Sequence, residues 1–474
     1  MASLTQNSSG FLAKLSALVG APEDALCLLM SILLGFPLAL IHRYTLYGQD
    51  PVSQHLFFIV SGVLLGFWNY GWSILHPIIT VCATYAIIKR LGSTKQCLQA
   101  SFLFNMGYLF YGYLTTSTED YDIKWTMPQC VLALRLIGLS FNVWDGSKPD
   151  SELSAFQKQT ALKEQPSFLE IAAFSFFPGS FLVGPQFNMK RYQDYVNNRL
   201  IATDGNSQKL PDCIIPGIQR SSLGFVYLAL YQIGNQFFPE KYLLSADFEN
   251  LNFVQRCFGV GIWGRINLYK YISCWLMTEG VCTAFGLTYN GKDSSGHLKW
   301  DGCANVELLT FENATQYDHY IQSFNINTNH WSAEYIYKRL RFLGSKLYSQ
   351  VGTLAFLAVW HGFHSGYYMC FIMEFIIMYF EKDMVPILMK HEQLQLLVKE
   401  NFVARFAFWI LLKVYTLIFM GYAIVPFVYL SYPKYMQVYR SIYYCGHVIF
   451  FSYPLLAPFI KKAIRQSRPR SHQE

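Results

Sequence analysis

Residues 351–380 read VGTLAFLAVWHGFHSGYYMCFIMEFIIMYF and place His361, His364 and Glu374 inside an apolar run. The run is longer than the roughly 20 residues that cross a bilayer as helix. Ionisable groups at that depth are costly, so they face a bundle interior or a water-filled cavity, either as structural groups bonded to a neighbouring helix or as functional ones. Gly362 and Gly366 are four apart, so on one helix they share a face without side chains. A second helix, or an acyl chain, can then approach the backbone beside the His361 imidazole. Burial disfavours the charged imidazolium, and a neutral ring can accept a proton from a substrate hydroxyl.

The rest of the chain must position these groups, and its composition says in what medium. Of 474 residues, 53% are hydrophobic and only 14% charged, with a mean hydropathy of +0.22. Soluble proteins carry about 25% charged residues, so the sequence predicts a polytopic membrane protein. The net charge of +7 suits loops that meet anionic headgroups or an anionic substrate, and no basic stripe suggests nucleic acid. Apolar segments at about 24–43, 52–68, 70–88, 96–114, 125–140, 222–238, 254–288, 402–430 and 442–460 are expected to be helices, because unpaired backbone groups are not tolerated in lipid. Residues 168–187 contain Phe177-Pro178-Gly179 and Val183-Gly184-Pro185, which predict a kinked or re-entrant helix pair. The expected organisation is a polar N-terminal segment 1–22, one transmembrane domain 23–460 and a basic, cytoplasmic tail 461–474, with no cleaved signal peptide.

The eleven cysteines are scattered and contain no CxxC pair, so they read as small core residues and no metal site is expected. Cys213 and Cys303 fall in polar stretches and could pair only if those loops meet in an oxidising lumen. Asn7 and Asn313 open glycosylation sequons. Residues 147–167 and 290–323 read as hydrophilic surface segments. Trp144-Asp145-Gly146 alone is a turn with an aromatic anchor.

Two further stripes bear on a site. Tyr271, Trp275 and Glu279 are four apart, consistent with core packing around a satisfied glutamate or with the wall of a substrate tunnel. After Asn325-Ile326-Asn327-Thr328-Asn329-His330-Trp331, one helix face would carry Trp331, Tyr335, Lys338 and Phe342, with Arg339, Arg341 and Lys346 around it. Such a helix suits the membrane interface, where its basic groups either snorkel or meet phosphates.

The string Trp360-His361-Gly362-x-x-x-Gly366-Tyr367-x-x-x-Phe371 resembles the WHGxxxGYxxxF motif of the membrane-bound O-acyltransferase superfamily. Asn325-x-x-Thr328-Asn329-x-Trp331, with Tyr335 and Lys338-Arg339-Leu340 after it, is similar to the asparagine motif of its lysophospholipid acyltransferase branch, although Phe324 replaces the tryptophan that precedes the asparagine there. Trp144-Asp145, the Gly184-Pro185 element and residues 439–444 also resemble family elements. The resemblance implies an all-α bundle of about eleven spans plus re-entrant or interfacial helices around a reaction tunnel. It implies acyl transfer from acyl-CoA to lysophosphatidylcholine and related lysophospholipids, without a cofactor, in the endoplasmic reticulum membrane, and leaves a homodimer open. His361 would be the general base and Asn325 the group that holds the thioester or the oxyanion. Trp360, Tyr367, Lys338, Arg339, Tyr271, Trp275 and Glu279 would line the substrates. Two alternatives stand: the same chemistry on a sterol, diacylglycerol or peptide acceptor, and a transporter that moves ions along His361, Glu279 and Glu374.

Overall fold

Backbone groups out of reach of water must bond to one another, and this chain meets that demand with helices. The computed structural model describes residues 11–118, 123–200, 202–204, 207–209, 212–389 and 391–466. Among them, long helices span Glu23–Ile41, Pro51–Tyr70, Leu75–Leu91, Lys95–Thr116, Thr126–Gly146, Ile214–Phe237, Phe253–Phe285, Lys346–His361, Ser365–Leu388, Phe402–Tyr429 and Cys445–Gln466. The only strands among the described residues pair Ala202–Asp204 with Ser207–Lys209 in an antiparallel hairpin. Among the described residues, four helical stretches, Glu23–Leu46, Pro51–Leu91, Thr126–Gly146 and Phe402–Tyr429, are long and apolar enough to cross a membrane. A fifth results if Tyr432–Ser441 and Cys445–Lys462, bent by 83°, form one crossing. Other long helices interrupt their apolar runs with polar residues, such as Gln96, Gln99 and Asn105 in Lys95–Thr116 and Glu374, Glu381, Lys382 and Asp383 in Ser365–Leu388. Leu56, Val60 and Leu64 on one helix and Leu455 and Phe459 on another are exposed, as lipid-facing side chains should be.

The chain forms two compact units. The first comprises residues 11–118, 123–227 and 272–305. Its core is aromatic: Phe58 and Phe177 pack with ring centroids 4.9 Å apart, and Phe177 meets Phe285 at 5.0 Å. Beside them, buried His42 bonds to Gln54 at 3.0 Å and to the Tyr195 hydroxyl at 3.1 Å. Residues 168–187 give one short helix, Phe168–Ser175, followed by buried irregular chain rather than the expected helix pair. Such backbone needs donors at membrane depth, and Arg135 supplies them. Its guanidinium donates to the carbonyls of Phe174 at 3.0 Å and Pro185 at 3.2 Å and to the Ser180 hydroxyl at 3.0 Å, while sitting 4.8 Å from the Phe187 ring centre. Arg135→Met keeps the bulk and removes every donor. Unmet buried acceptors cost about 1–3 kcal/mol each, so the thermal midpoint of the purified variant should fall well below wild type; an unchanged midpoint contradicts this role.

Trp144-Asp145-Gly146 is the last turn of the helix Thr126–Gly146 rather than a free turn. The buried Asp145 carboxylate accepts from Lys148 at 3.2 Å and Gln157 at 3.1 Å. It thereby ties the helix end to Ala155–Thr160, and the segment read as surface holds buried Leu153 and Leu162. Cys213 and Cys303 are both buried and all eleven cysteines are free, so the disulfide option falls. Cys213 instead donates its thiol to the carbonyl of Ala284 at 3.2 Å.

The second unit comprises residues 228–271 and 306–466. Here the hydrophilic stretch folds into the helices Leu308–Glu312 and Tyr317–Ser323, with Phe311, Tyr317 and Tyr320 buried. Tyr439, in the 439–444 element, is buried and stacks on Tyr422 at 4.5 Å between ring centroids. The terminal helix continues past residue 460, where Lys461 pairs with Asp383 at 2.6 Å. Asn7 lies outside the described residues.

Candidate active site

The apolar run 351–380 is not one helix. The helix Lys346–His361 stops at His361, Gly362 takes φ +136°, and a new helix, Ser365–Leu388, begins three residues later. A glycine is what that φ requires. Gly362 and Gly366 therefore do not share a helix face. Gly366 serves a different contact: its N–H donates to the carbonyl of Leu430 at 2.9 Å, and a Cβ there would overlap the Pro426 carbonyl. Gly366→Ala should cost about 1–3 kcal/mol through overpacking, read as a lower thermal midpoint with residual activity in the folded fraction. A midpoint equal to wild type counts against the close approach.

The break puts His361 at a helix end, with one nitrogen engaged. Its Nδ1 lies 2.8 Å from the carbonyl oxygen of Leu357. A carbonyl only accepts, so Nδ1 carries the proton and the Nε2 lone pair is left to act as base. Aromatic rings wall the imidazole: Trp360 at 4.5 Å, Phe427 at 5.2 Å, Phe371 at 5.3 Å and Tyr367 at 5.5 Å between centroids. Tyr271 extends this wall, 6.3 Å from Phe427. His361 itself is only half-buried, so the walled ring keeps some accessible surface.

Asn325 stands at the start of the helix Ile326–Ser332 in the left-handed region, φ +53° and ψ +42°. Asparagine tolerates that region better than most residues. Its side chain forms no cap hydrogen bond with its own helix. Asn329 fixes the turn around it, donating to the carbonyls of Ile321 at 2.8 Å and Phe324 at 3.0 Å. Trp331 stacks on Phe356 at 5.7 Å, and the Tyr317 N–H donates to Glu381 at 2.8 Å. One contact lies on the helix that ends in His361 and the other on the helix that follows, so both motifs hang on the same pair of helices. Arg265 adds a brace, pairing with Glu312 at 2.6 Å and lying 4.1 Å over the Phe311 ring.

The expected stripe from Trp331 to Phe342 is interrupted by a π-helical turn, Ala333–Tyr337, which changes the register. Lys338 pairs with Glu334, Arg339 is half-buried, and Phe342, Arg341 and Lys346 are exposed. Trp275 and Glu279 belong to the first unit. There the Glu279 carboxylate accepts from Arg220 at 2.7 Å and from the Asn305 N–H at 2.7 Å, the satisfied glutamate of the simpler account. It sits where Gly217 and Gly280 allow two helices to approach closely. Phe427 carried no sequence signal, being an ordinary residue of a long helix until the fold brings it to the site, and Arg265, within the apolar segment 254–288, signalled only that it needs partners, not that these are Glu312 and Phe311.

The family model for MBOAT, the membrane-bound O-acyltransferase family, matches residues 110–425. The chain belongs to this family. It is 43% identical to the human protein named lysophospholipid acyltransferase 5, over 96% of this chain and 94% of that one. The proteins of the same name from mouse and Caenorhabditis elegans are 43% and 34% identical, over 95% and 97% of this chain and 92% and 96% of theirs. MBOAT membership, with the apolar helices, makes this a multi-pass membrane protein of an acyltransferase family and sets the transporter reading aside.

Proposed function

We propose that this MBOAT protein is an acyl-CoA-dependent lysophospholipid O-acyltransferase that moves a fatty acyl chain, preferentially polyunsaturated, to the sn-2 hydroxyl of lysophosphatidylcholine. Lysophosphatidylethanolamine and lysophosphatidylserine serve as further acceptors, and the reaction remodels phospholipids of the endoplasmic reticulum membrane. The observation that carries this reading is the Nε2 lone pair of His361, left open by the Nδ1 bond to Leu357 inside a wall of aromatic rings. The names of the relatives support the choice of acceptor.

In this mechanism Nε2 takes the proton of the sn-2 hydroxyl as its oxygen attacks the thioester carbonyl. The Asn325 amide donates to the oxyanion, an interaction typically worth about 3–4 kcal/mol. Collapse breaks the carbon–sulfur bond, and the proton on the imidazolium passes to the departing CoA thiolate. A thiolate leaves readily, so acyl transfer is direct and no acyl-enzyme forms. The apolar rings exclude bulk water, which would otherwise compete as nucleophile. Lys338 and Arg339 would meet the phosphates of CoA.

The test is an acceptor panel. Purified protein with labelled polyunsaturated acyl-CoA should label 1-acyl lysophospholipids at sn-2, as read by phospholipase A2 release of the label. Label entering diacylglycerol or a sterol instead would overturn the reading.

A further inference from the structure

Glu374 has no part in the mechanism above, yet its place on the helix Ser365–Leu388 is unusual for a carboxylate. At about 100° per residue it lies about 20° in projection from Tyr367, which packs on the His361 ring, and about 20° from Glu381. The exposed side chains Ile372 and Tyr379 lie about 150° away, on the far face. Glu374 therefore faces the protein interior, and it nevertheless keeps accessible surface, being half-buried. Glu381, two turns on, accepts from the Tyr317 N–H, whereas Glu374 has no hydrogen bond or ion pair among the described residues. An interior carboxylate at such depth calls for a cationic or hydrogen-bonding partner.

We infer that Glu374 binds the cationic headgroup nitrogen of the lysophospholipid acceptor. The inference rests on the acceptor class proposed above. The distance fits: Tyr367 and Phe371 both touch the His361 ring, and Glu374 lies five residues past their midpoint, about 7 Å along the helix axis. That is comparable to the span from the sn-2 hydroxyl of a phosphocholine lipid to its nitrogen. A hydroxyl at Nε2 thus leaves the headgroup near the carboxylate, which supplies the charge partner that a quaternary ammonium cannot find by hydrogen bonding.

The experiment compares wild type with Glu374→Gln on lysophosphatidylcholine and on anionic lysophosphatidylglycerol, each with the same acyl-CoA. Loss of one charge-assisted contact predicts a KM for lysophosphatidylcholine about tenfold higher, with the KM for acyl-CoA unchanged and lysophosphatidylglycerol used as well as or better than by wild type. Glu374→Asp should recover part of the lysophosphatidylcholine KM. Equal loss on both acceptors, or a changed KM for acyl-CoA alone, overturns the headgroup role. If Glu374→Gln fails to fold, the ratio of the two acceptors in Glu374→Asp decides, a ratio identical to wild type counting against the inference. Wild type that acylates neither lipid would refute the acceptor class itself, a failure distinct from any change confined to the Glu374 variants.

Discussion

His361→Ala should lower turnover by about 10²- to 10⁴-fold, the range expected when a general base is removed, while the KM values for both substrates change little. The imidazole packs against four aromatic rings, so the variant also loses contacts, and a thermal midpoint close to wild type must accompany the activity measurement. His364→Ala provides the contrast. His364 precedes the helix Ser365–Leu388 and meets Tyr367 at 6.1 Å between ring centres, one step removed from the His361 ring. It should retain most of the activity. Equal loss at both positions would mean that the segment needs its histidines for folding and that Nε2 of His361 is no base.

The second large effect is expected at Asn325. Removing one oxyanion donor lowers turnover by about 10²- to 10³-fold, and the backbone here allows a clean form of the test. Asn325 holds φ +53°, a conformation that alanine adopts at a cost and glycine does not. Asn325→Gly therefore keeps the turn and removes only the amide. Turnover should fall as far in Asn325→Gly as in Asn325→Ala, with the glycine variant nearer wild type in thermal midpoint. Full activity in Asn325→Gly would show that the position serves the turn and not the reaction.

Much of this was legible in the sequence, for physical reasons that can be named. Hydropathy locates most of the long helices, because a membrane chain must bond its backbone internally. Trp360-His361-Gly362 stands out because polar chemistry is costly in apolar surroundings, whereas Asn325 is marked only by its resemblance to the family's asparagine motif. What was not legible is the consequence of single backbone choices. The run 351–380 has no proline and reads as one span, yet Gly362 at φ +136° turns it into two helices and exposes a ring nitrogen at the break. The same break makes the Gly362/Gly366 spacing accidental, since Gly366 answers to Pro426 and Leu430 far along the chain. A π-helical turn likewise dissolves the stripe predicted from Trp331 to Phe342, and no residue type announces it. Arg135, inside the apolar segment 125–140, needs partners by the same rule, but nothing in the sequence says that these are the carbonyls of 174–185.

The most direct test of direct, His361-dependent acyl transfer is the stoichiometry of CoA thiol release against diacyl phospholipid formed, by purified protein in nanodiscs given acyl-CoA and lysophosphatidylcholine, with rapid acid quench of the protein. One CoA per phospholipid, release that requires both lipids, no acyl group on the quenched protein and loss of all of this in His361→Ala are the predicted results. CoA release without an acceptor accompanied by a trapped acyl-enzyme, or full turnover in folded His361→Ala, would contradict it.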